Sequence, residues 1–401
     1  MKFGGTSVGS VEKIQKVARL VQKKFESGYS VIVVVSAMGK RTDELVDLAY
    51  SLTDKPSERE MDVLLSTGEQ VSIALLSMAL HNLGLKAKSI TGWQIPIITN
   101  DSFSNARIEQ INTQQLQDNL TQDYVCVVAG FQGITNDNEI STFGRGGSDT
   151  SAVAIAAAIS AKQCEIYTDV PGVYTADPNK VGKARKLARV SYDEMLEFAS
   201  LGAGVLHGRA VEFAKKYGVV LHVRSTFLQE EGTLVLSEED FMEKLSVTGV
   251  SIKNEEARVS ISEVPDRPGI AAELFLTLAN AEVNVDMIVQ STGQNDKNTI
   301  SFTVPKSLLF KAEETVKSTI SSWGSGEFTS DQNISIVSAV GIGMKSHAGV
   351  AATMFKALAN EGINIECIST SEIKISCIVT KDKGAQAMNL IHSAFGLDKE
   401  N

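Results

Sequence analysis

The apolar run VIVVV at residues 31–35 is the feature that most constrains the fold of this chain. Five successive β-branched residues have no polar face, so they predict a strand buried on both sides, as in the parallel sheets of α/β proteins. Before it, the segment from Val11 to Phe25 has apolar residues at i, i+3, i+4 and i+7, which predicts an amphipathic helix with Ser10 as its N-cap. Strands and helices then alternate over about 225 residues. The first part of the chain is therefore predicted to be α/β, with a mainly parallel central sheet and helices on both faces.

The composition is typical of a globular protein with several domains. The 401 residues are too many for one ordinary core, and 43% hydrophobic with 21% charged residues is enough to bury two or three. The formal net charge of -10 disfavours binding to nucleic acid or to an acidic membrane, because their phosphates would be repelled over most of the surface. Any bound phosphate must then be met by local cations.

The cysteines and the N-terminus indicate a protein of a reducing compartment. The four cysteines occur singly, without CxxC or metal-ligand spacing, at positions 126, 164, 367 and 377. Buried free thiols are the expected state of such residues. The chain starts without an apolar signal core, and no apolar run approaches the ~20 residues of a membrane span. We therefore expect a cytoplasmic protein that binds neither nucleic acid nor membrane.

The C-terminal part of the chain contains an internal repeat. DRPGIAAELFLTLANAEVNVDMI at residues 266–288 matches SHAGVAATMFKALANEGINIECI at residues 346–368 with a constant shift of 80. Each copy has the pattern strand, turn, helix, strand, strand, polar helix, which suits a small βαββαβ unit. Pairing of the two copies would cover their exposed sheet edges.

The chain opens with MKFGGTSVGS, a glycine-rich turn behind a strand of only a few residues. It is neither a Walker A loop nor a GxGxxG fingerprint. Gly4 and Gly5 could let backbone N–H groups approach phosphate oxygens, with Lys2 as the positive charge, although a GG turn taken alone is structural more often than not. We expect neighbouring strands such as VIVVV and YVCVVAG to direct this loop.

The segment FGRGGSDTS also lies where a strand is followed by a helix, at the edge where open α/β sheets bind ligands. Ser148 is expected to cap the helix, Gly146 and Gly147 allow close approach of a ligand, and Arg145 has a planar fork suited to a carboxylate. The alternative is a tight turn in which Asp149 only complements the helix dipole.

The segment STGEQ leaves two interpretations open. Ser66 and Glu69 have the spacing of a capping box, which would explain the glutamate without any ligand. A carboxylate at this position could instead hold a substrate ammonium group. The spacing does not distinguish the two.

These motifs together resemble those of the aspartate kinases, members of the amino-acid kinase superfamily. KFGGTSV, SAMG with a nearby threonine, STGE, GRGGSDTSA and TDVPGVYTADP occur in the family's order. The repeated C-terminal units resemble the ACT domains that such enzymes carry for feedback control. The resemblance covers essentially the whole chain, and it implies an amino-acid kinase fold followed by two α+β ACT domains.

The resemblance implies a role for each motif. Lys2 contacts the ATP phosphates, Asp149 organises the lysine and the metal-nucleotide, and these two are the implied catalytic residues. Glu69 holds the amino group of aspartate, which decides between the two interpretations above. The other implied contacts of aspartate, through a carboxylate-binding arginine, two hydroxyls, an aromatic ring and the glycine loop, are Arg145, Ser36, Thr42, Phe131, Gly146, Gly147 and Ser148.

ATP is implied to bind at the first loop and at the TDVPGVY segment. The implied nucleotide contacts are Lys2, Phe3, Gly4, Gly5, Thr168, Asp169, Tyr174, Asp177, Lys180 and Arg185. The chain departs from the family at two positions, where Asn179 and Gly204 replace an arginine and a lysine that help to hold ATP. Lys180, Lys183 or Arg185 is expected to substitute for them.

The implied domain organisation has four parts. Residues 1–228 are the catalytic domain, and residues 229–254 are a connector whose strand near Val247–Ile252 joins the sheet of the second ACT unit. Residues 255–331 and 332–401 are the two ACT domains, which are expected to form a homodimer. The implied effector contacts are Asp266, Pro268, Ile270, Gln290, Val350, Asn364, Ile365, Thr370 and Glu372, with lysine, alone or with threonine, as the expected inhibitor.

The implied reaction is the transfer of a phosphoryl group from ATP, as its Mg²⁺ complex, to the side chain of L-aspartate. The product would be 4-phospho-L-aspartate, an intermediate on the route to lysine, threonine, methionine and diaminopimelate. No protein group is implied as a dedicated metal ligand set. The alternatives are another small-molecule kinase of the same superfamily and a non-catalytic amino-acid sensor.

Overall fold

The computed structural model describes residues 1–202, 205–240, 246–292 and 297–399. Over these residues the helices are α1 Val11–Glu26, α2 Arg41–Leu52, α3 Glu58–Asn82, α4 Gln114–Thr121, α5 Gly147–Ala158, α6 Tyr192–Ser200, α7 Gly208–Tyr217, α8 Ile270–Asn280, α9 Leu309–Trp323, α10 Val350–Asn360 and α11 Gly384–Ala394. The strands are β1 Lys2–Phe3, β2 Ile32–Val35, β3 Ala87–Ile90, β4 Ile97–Thr99, β5 Ile108–Ile111, β6 Val125–Ala129, β7 Gln132–Thr135, β8 Ile140–Thr142, β9 Cys164–Thr168, β10 Arg189–Ser191, β11 Leu221–Ser225, β12 Thr233–Leu236, β13 Gly249–Lys253, β14 Glu256–Pro265, β15 Asp286–Thr292, β16 Lys297–Pro305, β17 Glu327–Asp331, β18 Ile334–Val340, β19 Cys367–Thr370 and β20 Lys374–Thr380.

The chain forms two compact units that are not continuous in sequence. The first comprises Met1–Val173 and Lys186–Met242, and the second comprises Tyr174–Arg185 and Glu243–Asn401. A single boundary at residue 228 therefore does not describe the molecule, because the twelve residues Tyr174–Arg185 of the expected catalytic segment pack with the C-terminal unit. Their side chains find apolar neighbours there, as described below.

The central sheet of the first unit has the strand order β10-β12-β11-β9-β1-β2-β6-β3. Every pairing is parallel except that of β11 with β12. The predicted α/β fold is confirmed, and β2 is buried over its whole length as its apolar sequence requires. Lys2 in β1 pairs with Val34 of β2 and with Ile166 of β9. The expectation for the second neighbour of β1 was wrong: YVCVVAG forms β6, which lies beyond β2.

Helix α1 follows the predicted pattern. It starts directly after Ser10, whose Oγ accepts a hydrogen bond from the Lys13 N–H at 3.3 Å. The residues that the helix buries are the predicted apolar stripe, Ile14, Val17, Ala18 and Val21. These side chains join a core with β1, β2, β6 and the C-terminal half of α3.

Helix α3 is a core helix with polar residues inside. By length and composition alone it is apolar enough to cross a membrane, so the expectation that no segment comes near such a span was too strict. Half of the most apolar 18-residue stretch of this helix is nevertheless buried inside the unit. The buried face also carries Asp62 and Glu69, which are 0% and 2% exposed. Polar groups at these depths need partners within the protein, and both residues become important below.

A smaller sheet completes the first unit. Its strand order is β5-β4-β7-β8, with β4 and β7 parallel and the outer pairs antiparallel. Helix α5 follows β8 after the FGRGGS segment, and it buries nearly its whole surface. The position of this segment is therefore set by the end of β8 on one side and by the buried helix α5 on the other.

The second unit contains two four-stranded antiparallel sheets, one for each repeat. The first has the order β15-β16-β14-β17 and the second β13-β18-β20-β19. Strand β13 precedes the first repeat in the chain but pairs with β18 of the second, from Gly249 opposite Val340 to Lys253 opposite Ile336. The first repeat is therefore an insertion between two neighbouring strands of the second.

The segment Tyr174–Arg185 is built into the second unit by hydrogen bonds at several points. The Val250 N–H donates to the Thr175 carbonyl at 2.7 Å, and Thr175 Oγ1 lies 2.9 Å from Nε2 of the buried His392. Arg185 Nε donates to the Leu397 carbonyl at 2.8 Å. The segment also contributes two side chains to the core of the second repeat, Ala176 and Val181.

The thiols are free, as predicted. Cys126, Cys164 and Cys377 are buried, and Cys367 is half-buried. Burial raises the pKa of Cys126 and of Cys164 to about 11 and that of Cys377 to about 12. All three therefore stay protonated and unreactive near neutral pH.

A matched pair on α3 tests whether this helix belongs to the core. Leu76 is fully buried, whereas Met78 is 64% exposed. Leu76→Ala should lower the free energy of unfolding by about 2–5 kcal/mol, because it removes buried methyl groups and leaves a cavity. Met78→Ala should change it by no more than about 0.5 kcal/mol. Urea unfolding measures both, and equal effects would contradict the assigned face.

Candidate active site

The candidate site lies at the carboxyl edge of the central sheet. Four neighbouring strands, β9, β1, β2 and β6, run parallel and end side by side. The residues that follow them are Asp169, Gly4, Ser36 and Gly130. Three glycine-bearing segments meet here: the first two, KFGGTSVGS and SAMGKRTDE, start at the ends of β1 and β2, and the third, FGRGGSDTS, enters from the end of β8. This edge is where open α/β sheets hold their ligands.

A lysine–carboxylate pair joins the first and third segments. Lys2 Nζ lies 2.6 Å from Asp149 Oδ1, and the two side chains are only 12% and 13% exposed. Asp149 lies in the first turn of α5, where the partial positive charge of the helix terminus favours an anion. The pair holds the Lys2 ammonium group at the mouth of the KFGG loop, so that an additional anion can approach a cation that is already oriented.

The first two loops pack on each other through glycine backbone. The Gly39 N–H donates to the Gly5 carbonyl at 3.0 Å, and a Cβ on Gly5 would lie 2.8 Å from the Ala37 carbonyl oxygen. Gly5 is therefore required by packing. A Cβ on Gly4 would instead meet only Lys2 Nζ, at 3.6 Å. The backbone around Gly4 is thus the part of this loop that remains open to a ligand.

The third segment differs from its prediction at the cap. Helix α5 starts at Gly147, and its N-cap is Gly146 in the left-handed conformation, with no side-chain cap. Ser148 is therefore not the N-cap. It lies buried inside the first turn, against Gly130, where a Cβ would come within 2.8 Å of Ser148 Oγ. A Cβ on Gly146 would overlap the ring of His207. The glycines thus serve close packing around the loop.

Arg145 and Phe131 flank the start of α5. Arg145 is exposed, and over the described part of the chain it has no hydrogen-bond or ion-pair partner. Phe131 has a φ of 71°, which a non-glycine residue adopts only when its surroundings hold it there. Its N–H donates to Ser151 Oγ at 2.9 Å, and its carbonyl accepts from the Phe143 N–H at 3.0 Å. The start of α5 is therefore packed against a fixed aromatic residue, and the arginine two positions before it has no partner among the described residues.

Glu69 lies in the interior of α3 and is only 2% exposed. The capping-box interpretation is wrong, because Ser66 and Glu69 are both well inside this helix and its N-cap is Ser57. Glu69 Oε1 accepts a hydrogen bond from the Ala37 N–H at 2.9 Å, whereas Oε2 has no partner among the described residues. Burial raises the pKa of its carboxyl from 4.5 to about 7. An unpaired buried acceptor of this kind is suited to a cationic ligand group.

The two predicted hydroxyls lie around the second loop. Ser36 directly follows β2, and its N–H donates to the Phe3 carbonyl at 3.1 Å. Thr42 is the second residue of α2 and is half-buried. The structure therefore brings Ser36, the KFGG loop and Glu69 together through this loop.

The predicted nucleotide contacts divide between the two units. Thr168 and Asp169 belong to the first unit, where Thr168 Oγ1 donates to Asp169 Oδ1 at 2.9 Å and Phe3 stacks on Tyr167 with 4.6 Å between ring centroids. The predicted contacts that belong to the second unit are Tyr174, Asp177, Lys180 and Arg185.

The basic residues of that second group differ in how free they are. The guanidinium group of Arg185 is held on the Leu397 carbonyl, and Lys180 Nζ lies 3.6 Å from Asp177 Oδ2. Lys183 is 79% exposed. Asn179 donates from its backbone and side chain to Asp177 Oδ1. Gly204, the other position of departure from the family, lies outside the described residues.

The predicted effector contacts lie in the repeats, and the structure groups some of them. In the second repeat a cavity of about 470 Å³ is lined by Val350, Thr370 and Glu372 together with Lys345, whose Nζ lies 3.4 Å from Glu372 Oε2. The remaining predicted residue pair of this repeat, Asn364 and Ile365, does not line that cavity.

In the first repeat the predicted contacts lie on two elements. Asp266, Pro268 and Ile270 lie at the turn from β14 to α8, and Gln290 lies on β15. Asp266 Oδ1 accepts a hydrogen bond from Asn298 Nδ2 at 3.0 Å. Of the three turn residues only Ile270 is buried.

A cavity of about 650 Å³ adjoins the candidate site within the first unit. Gly146 and Asp149 line it from α5, and His207 and Glu212 line it from the start of α7. The sequence did not indicate His207, because a lone histidine carries no motif. Its contact with the left-handed Gly146 appears only after folding.

A more enclosed cavity of about 300 Å³ lies at the opposite edge of the sheet, at the amino ends of β1, β2 and β9. Its wall includes apolar residues of α5, such as Ile155 and Ile159. None of the site residues predicted from the sequence lines this cavity, and its lining includes no residue of the glycine-bearing loops. It is therefore not part of the candidate site.

The donor set near Asp149 fits a magnesium ion that is shared with phosphate. The described residues contain no group of three or more His, Cys, Asp or Glu side chains that could hold a metal by themselves. Mg²⁺ is usually bound by one or two carboxylates, with substrate phosphates and water completing the octahedron. One carboxylate at a phosphate-binding loop is consistent with that mode.

Comparison with known proteins identifies the class to which this fold and site belong. The Amino acid kinase family matches residues 1–225, and the ACT domain matches residues 259–319 and 337–395. The first match covers more than half of the 401 residues. The chain therefore belongs to the amino acid kinase family and carries C-terminal ACT domains.

Within that family the chain is an aspartate kinase. It is 51% identical over 401 residues to "Aspartokinase 2" of Bacillus subtilis, with 99% of this chain and 97% of that protein covered. It is 46% identical to the aspartate kinase of Synechocystis, for which a crystal structure is known. The match to that structure covers 98% of this chain and 69% of the Synechocystis chain, with a TM-score of 0.55. The fold is also that of E. coli aspartokinase III in complex with aspartate and ADP, at 23% identity, 98% coverage of both chains and a TM-score of 0.78. The resemblance seen in the motifs is confirmed.

The raised pKa of Glu69 predicts a pH-dependent stability. The contribution of this carboxyl to the free energy of unfolding is largest below pH 4.5, where it is protonated in both the folded and the unfolded chain. That contribution is lost as the pH rises to about 7, because the carboxyl ionises at a lower pH in the unfolded chain than in the folded one. Glu69→Gln keeps the neutral form at every pH. Between pH 4.5 and 8 the variant should therefore gain about 3 kcal/mol over the original chain.

Urea unfolding at a series of pH values measures this difference. Glu58→Gln, at the exposed start of the same helix, is the control and should change the stability little at any pH. A difference between Glu69→Gln and the original chain that stays constant with pH would contradict the burial of an uncompensated carboxyl.

Proposed function

We propose that this chain phosphorylates the side-chain carboxylate of L-aspartate with ATP, and that the motifs at the carboxyl edge of the central sheet are its active site. The observation that carries the proposal is the combination of the oriented Lys2–Asp149 pair with a buried Glu69 that has one unpaired oxygen. The first arrangement suits a transferring phosphoryl group, and the second suits an ammonium group. The first arrangement includes Lys2 of β1 and the second contacts the loop after β2, and these two strands end at the same edge of the sheet.

Aspartate is held at its two ends. Its ammonium group pairs with Glu69 and its α-carboxylate pairs with Arg145, which is exposed and without a protein partner over the described part of the chain. The remaining proposed contacts surround these two charges and are Ser36, Thr42, Phe131, Gly146, Gly147 and Ser148. This arrangement selects a ligand with an ammonium group, because a ligand without one would leave the buried Glu69 carboxyl unpaired.

The reaction needs no general base. A side-chain carboxylate has an ordinary pKa near 4 and is already ionised at neutral pH, so it can attack the γ-phosphorus directly. The protein has instead to align two anions and neutralise the charge that develops on the transferring group. Lys2 supplies that charge, and Asp149 orients Lys2 through their 2.6 Å contact.

The nucleotide is proposed to lie with its phosphates at the open backbone of Phe3, Gly4 and Gly5. The other proposed nucleotide contacts are Thr168, Asp169, Tyr174, Asp177, Lys180 and Arg185. Lys180 and Lys183 are the best replacements for the basic residues absent at 179 and 204, because the Arg185 guanidinium is held by Leu397. Asp149 would hold Mg²⁺, which supplies additional positive charge to the phosphates when it is bound.

Regulation is proposed to act through the two ACT domains. Lysine, alone or with threonine, is the proposed inhibitor, and its ammonium group would pair with Asp266 or Glu372. The other proposed effector contacts are Pro268, Ile270, Gln290, Val350, Asn364, Ile365 and Thr370. Support comes from the cavity of the second repeat, whose lining includes both Lys345 and Glu372 and so offers both charges to an amino acid. A cytoplasmic homodimer associated through these domains completes the proposal.

Substitution of Lys2 tests the catalytic assignment. Lys2→Ala should lower kcat by about 10²–10³-fold, since it removes charge stabilisation that is needed mainly in the transition state, while KM for aspartate changes little. Lys16→Ala, on the exposed face of α1, is the control and should leave both constants unchanged. Near-normal turnover of Lys2→Ala would reject the role of this residue.

A coupled assay of ADP release tests the function as a whole. Release should require aspartate, should not occur with glutamate, and should fall when lysine is added alone or together with threonine. Absence of aspartate-dependent release would overturn the proposed reaction and favour a non-catalytic sensor. Turnover that neither amino acid affects would remove only the proposed regulation.

A further inference from the structure

We infer that Asp62 is a positioning residue for the subsite that receives the α-carboxylate of the substrate. No motif marked this residue, and it does not touch the proposed aspartate contacts directly. Instead it fixes the two chain segments that lie next to Arg145. The inference deepens the proposed function and rests on it, because it assumes that Arg145 binds the substrate carboxylate.

Asp62 is fully buried and its carboxylate is saturated with hydrogen bonds. Thr142 donates to it from its N–H and from its Oγ1, both at 2.7 Å. Ser104 donates from its N–H at 2.9 and 3.0 Å to the two oxygens and from its Oγ at 3.2 Å. A buried carboxylate with this many donors is geometrically constrained, and removing one of its oxygens leaves buried N–H groups without a partner.

The two donor residues lie on either side of the arginine loop. Thr142 is the last residue of β8, three positions before Arg145. Ser104 has a φ of 62°, and a Cβ on Gly144 would lie only 2.9 Å from the Ser104 carbonyl oxygen. Asp62 therefore fixes both the strand from which the loop leaves and the backbone against which Gly144 packs.

A second side chain, from a residue that follows this loop in the chain, also holds the loop by hydrogen bonds. Arg209, at the start of α7, donates from one terminal nitrogen to the Phe143 carbonyl at 3.0 Å and from the other to the Ala106 carbonyl at 2.6 Å. Its two contacts join the same pair of segments that Asp62 joins. The backbone that leads to Arg145 is thus held at three successive residues, Thr142, Phe143 and Gly144.

Asp62 and Glu69 lie on one face of the same helix. They are seven residues apart, which is two turns or about 10 Å along α3. Glu69 accepts the Ala37 N–H of the second loop, and Asp62 accepts the Thr142 N–H beside the third. One rigid helix therefore sets the distance between the proposed ammonium and carboxylate subsites. This spacing decides which length of amino acid bridges Glu69 and Arg145.

Asp62→Asn tests this role, because it keeps the size of the side chain and replaces one acceptor by a donor. We expect KM for aspartate to rise by roughly tenfold or more, since a small displacement of the arginine loop weakens the carboxylate contact. KM for ATP should stay within about twofold, because the KFGG loop does not depend on Asp62. Amide exchange at Thr142 and Ser104 should become faster in the free enzyme.

Threonine 142 supplies a milder pair of variants. Thr142→Val removes the Oγ1 donor and should shift KM for aspartate in the same direction by a smaller factor, whereas Thr142→Ser keeps the donor and should behave like the original chain. Glu194→Gln is the control for loss of a buried carboxylate. That glutamate, in the first turn of α6, is 1% exposed and accepts hydrogen bonds from the N–H and Oγ of Ser191.

The outcomes separate this inference from the proposed function. If the original chain shows no aspartate-dependent turnover, the proposed function fails, and amide exchange in Asp62→Asn still decides whether Asp62 holds the loop. Unchanged KM for aspartate, or an equal rise of both KM values, would overturn the positioning role. If Asp62→Asn does not fold, the contrast between Thr142→Val and Thr142→Ser decides, and equal KM values in the two would overturn it.

Discussion

The active edge of this enzyme depends on the backbone pairing of a strand that is only two residues long. The Val34 N–H donates to the Met1 carbonyl at 2.8 Å and the Ser36 N–H to the Phe3 carbonyl at 3.1 Å, while β9 pairs along the other side. So short a strand has little stability of its own, and its direction is imposed by β2 and β9. Because parallel strands end at a common edge, the same pairing places the KFGG loop beside the loop that follows β2. The orientation of Lys2 toward Asp149 follows from that placement.

Helix α3 sets the geometry of the proposed substrate subsites in a different way. Buried carboxylates are unfavourable unless the protein supplies hydrogen-bond donors. This helix contains one buried carboxylate with many donors and one with few. Asp62 has its donors from Thr142 and Ser104, so it can serve the architecture. Among the described residues Glu69 accepts a hydrogen bond only from the Ala37 N–H, and burial raises its pKa to about 7, so its second oxygen is available for a ligand. The structural carboxylate and the proposed ligand-binding carboxylate thus differ in the number of donors that the described residues supply.

The second unit shows how a repeat can lose its sequence continuity. The edge strand of the second repeat, β13, comes from the chain before the first repeat, and the segment Tyr174–Arg185 adds Ala176 and Val181 to the same core. Their apolar side chains are buried where β13, β18 and α11 meet. The core of the second repeat is assembled from three separate stretches of sequence, so this repeat cannot be removed as one C-terminal piece without exposing part of its core.

The sequence by itself determined the elements whose signals are local. Unbroken β-branched residues predict the buried strand β2, and apolar periodicity behind Ser10 predicts α1, because both depend on neighbours within a few residues. The motifs and the repeat likewise indicated the family and the ACT domains. Only the tertiary structure showed that Glu69 is no capping residue, that Gly146 rather than Ser148 caps α5, and that β9 rather than β6 is the second neighbour of β1. The physical reason is distance along the chain: the Ala37–Glu69 and Asp62–Thr142 hydrogen bonds join residues 32 and 80 positions apart, and no local pattern records such partners.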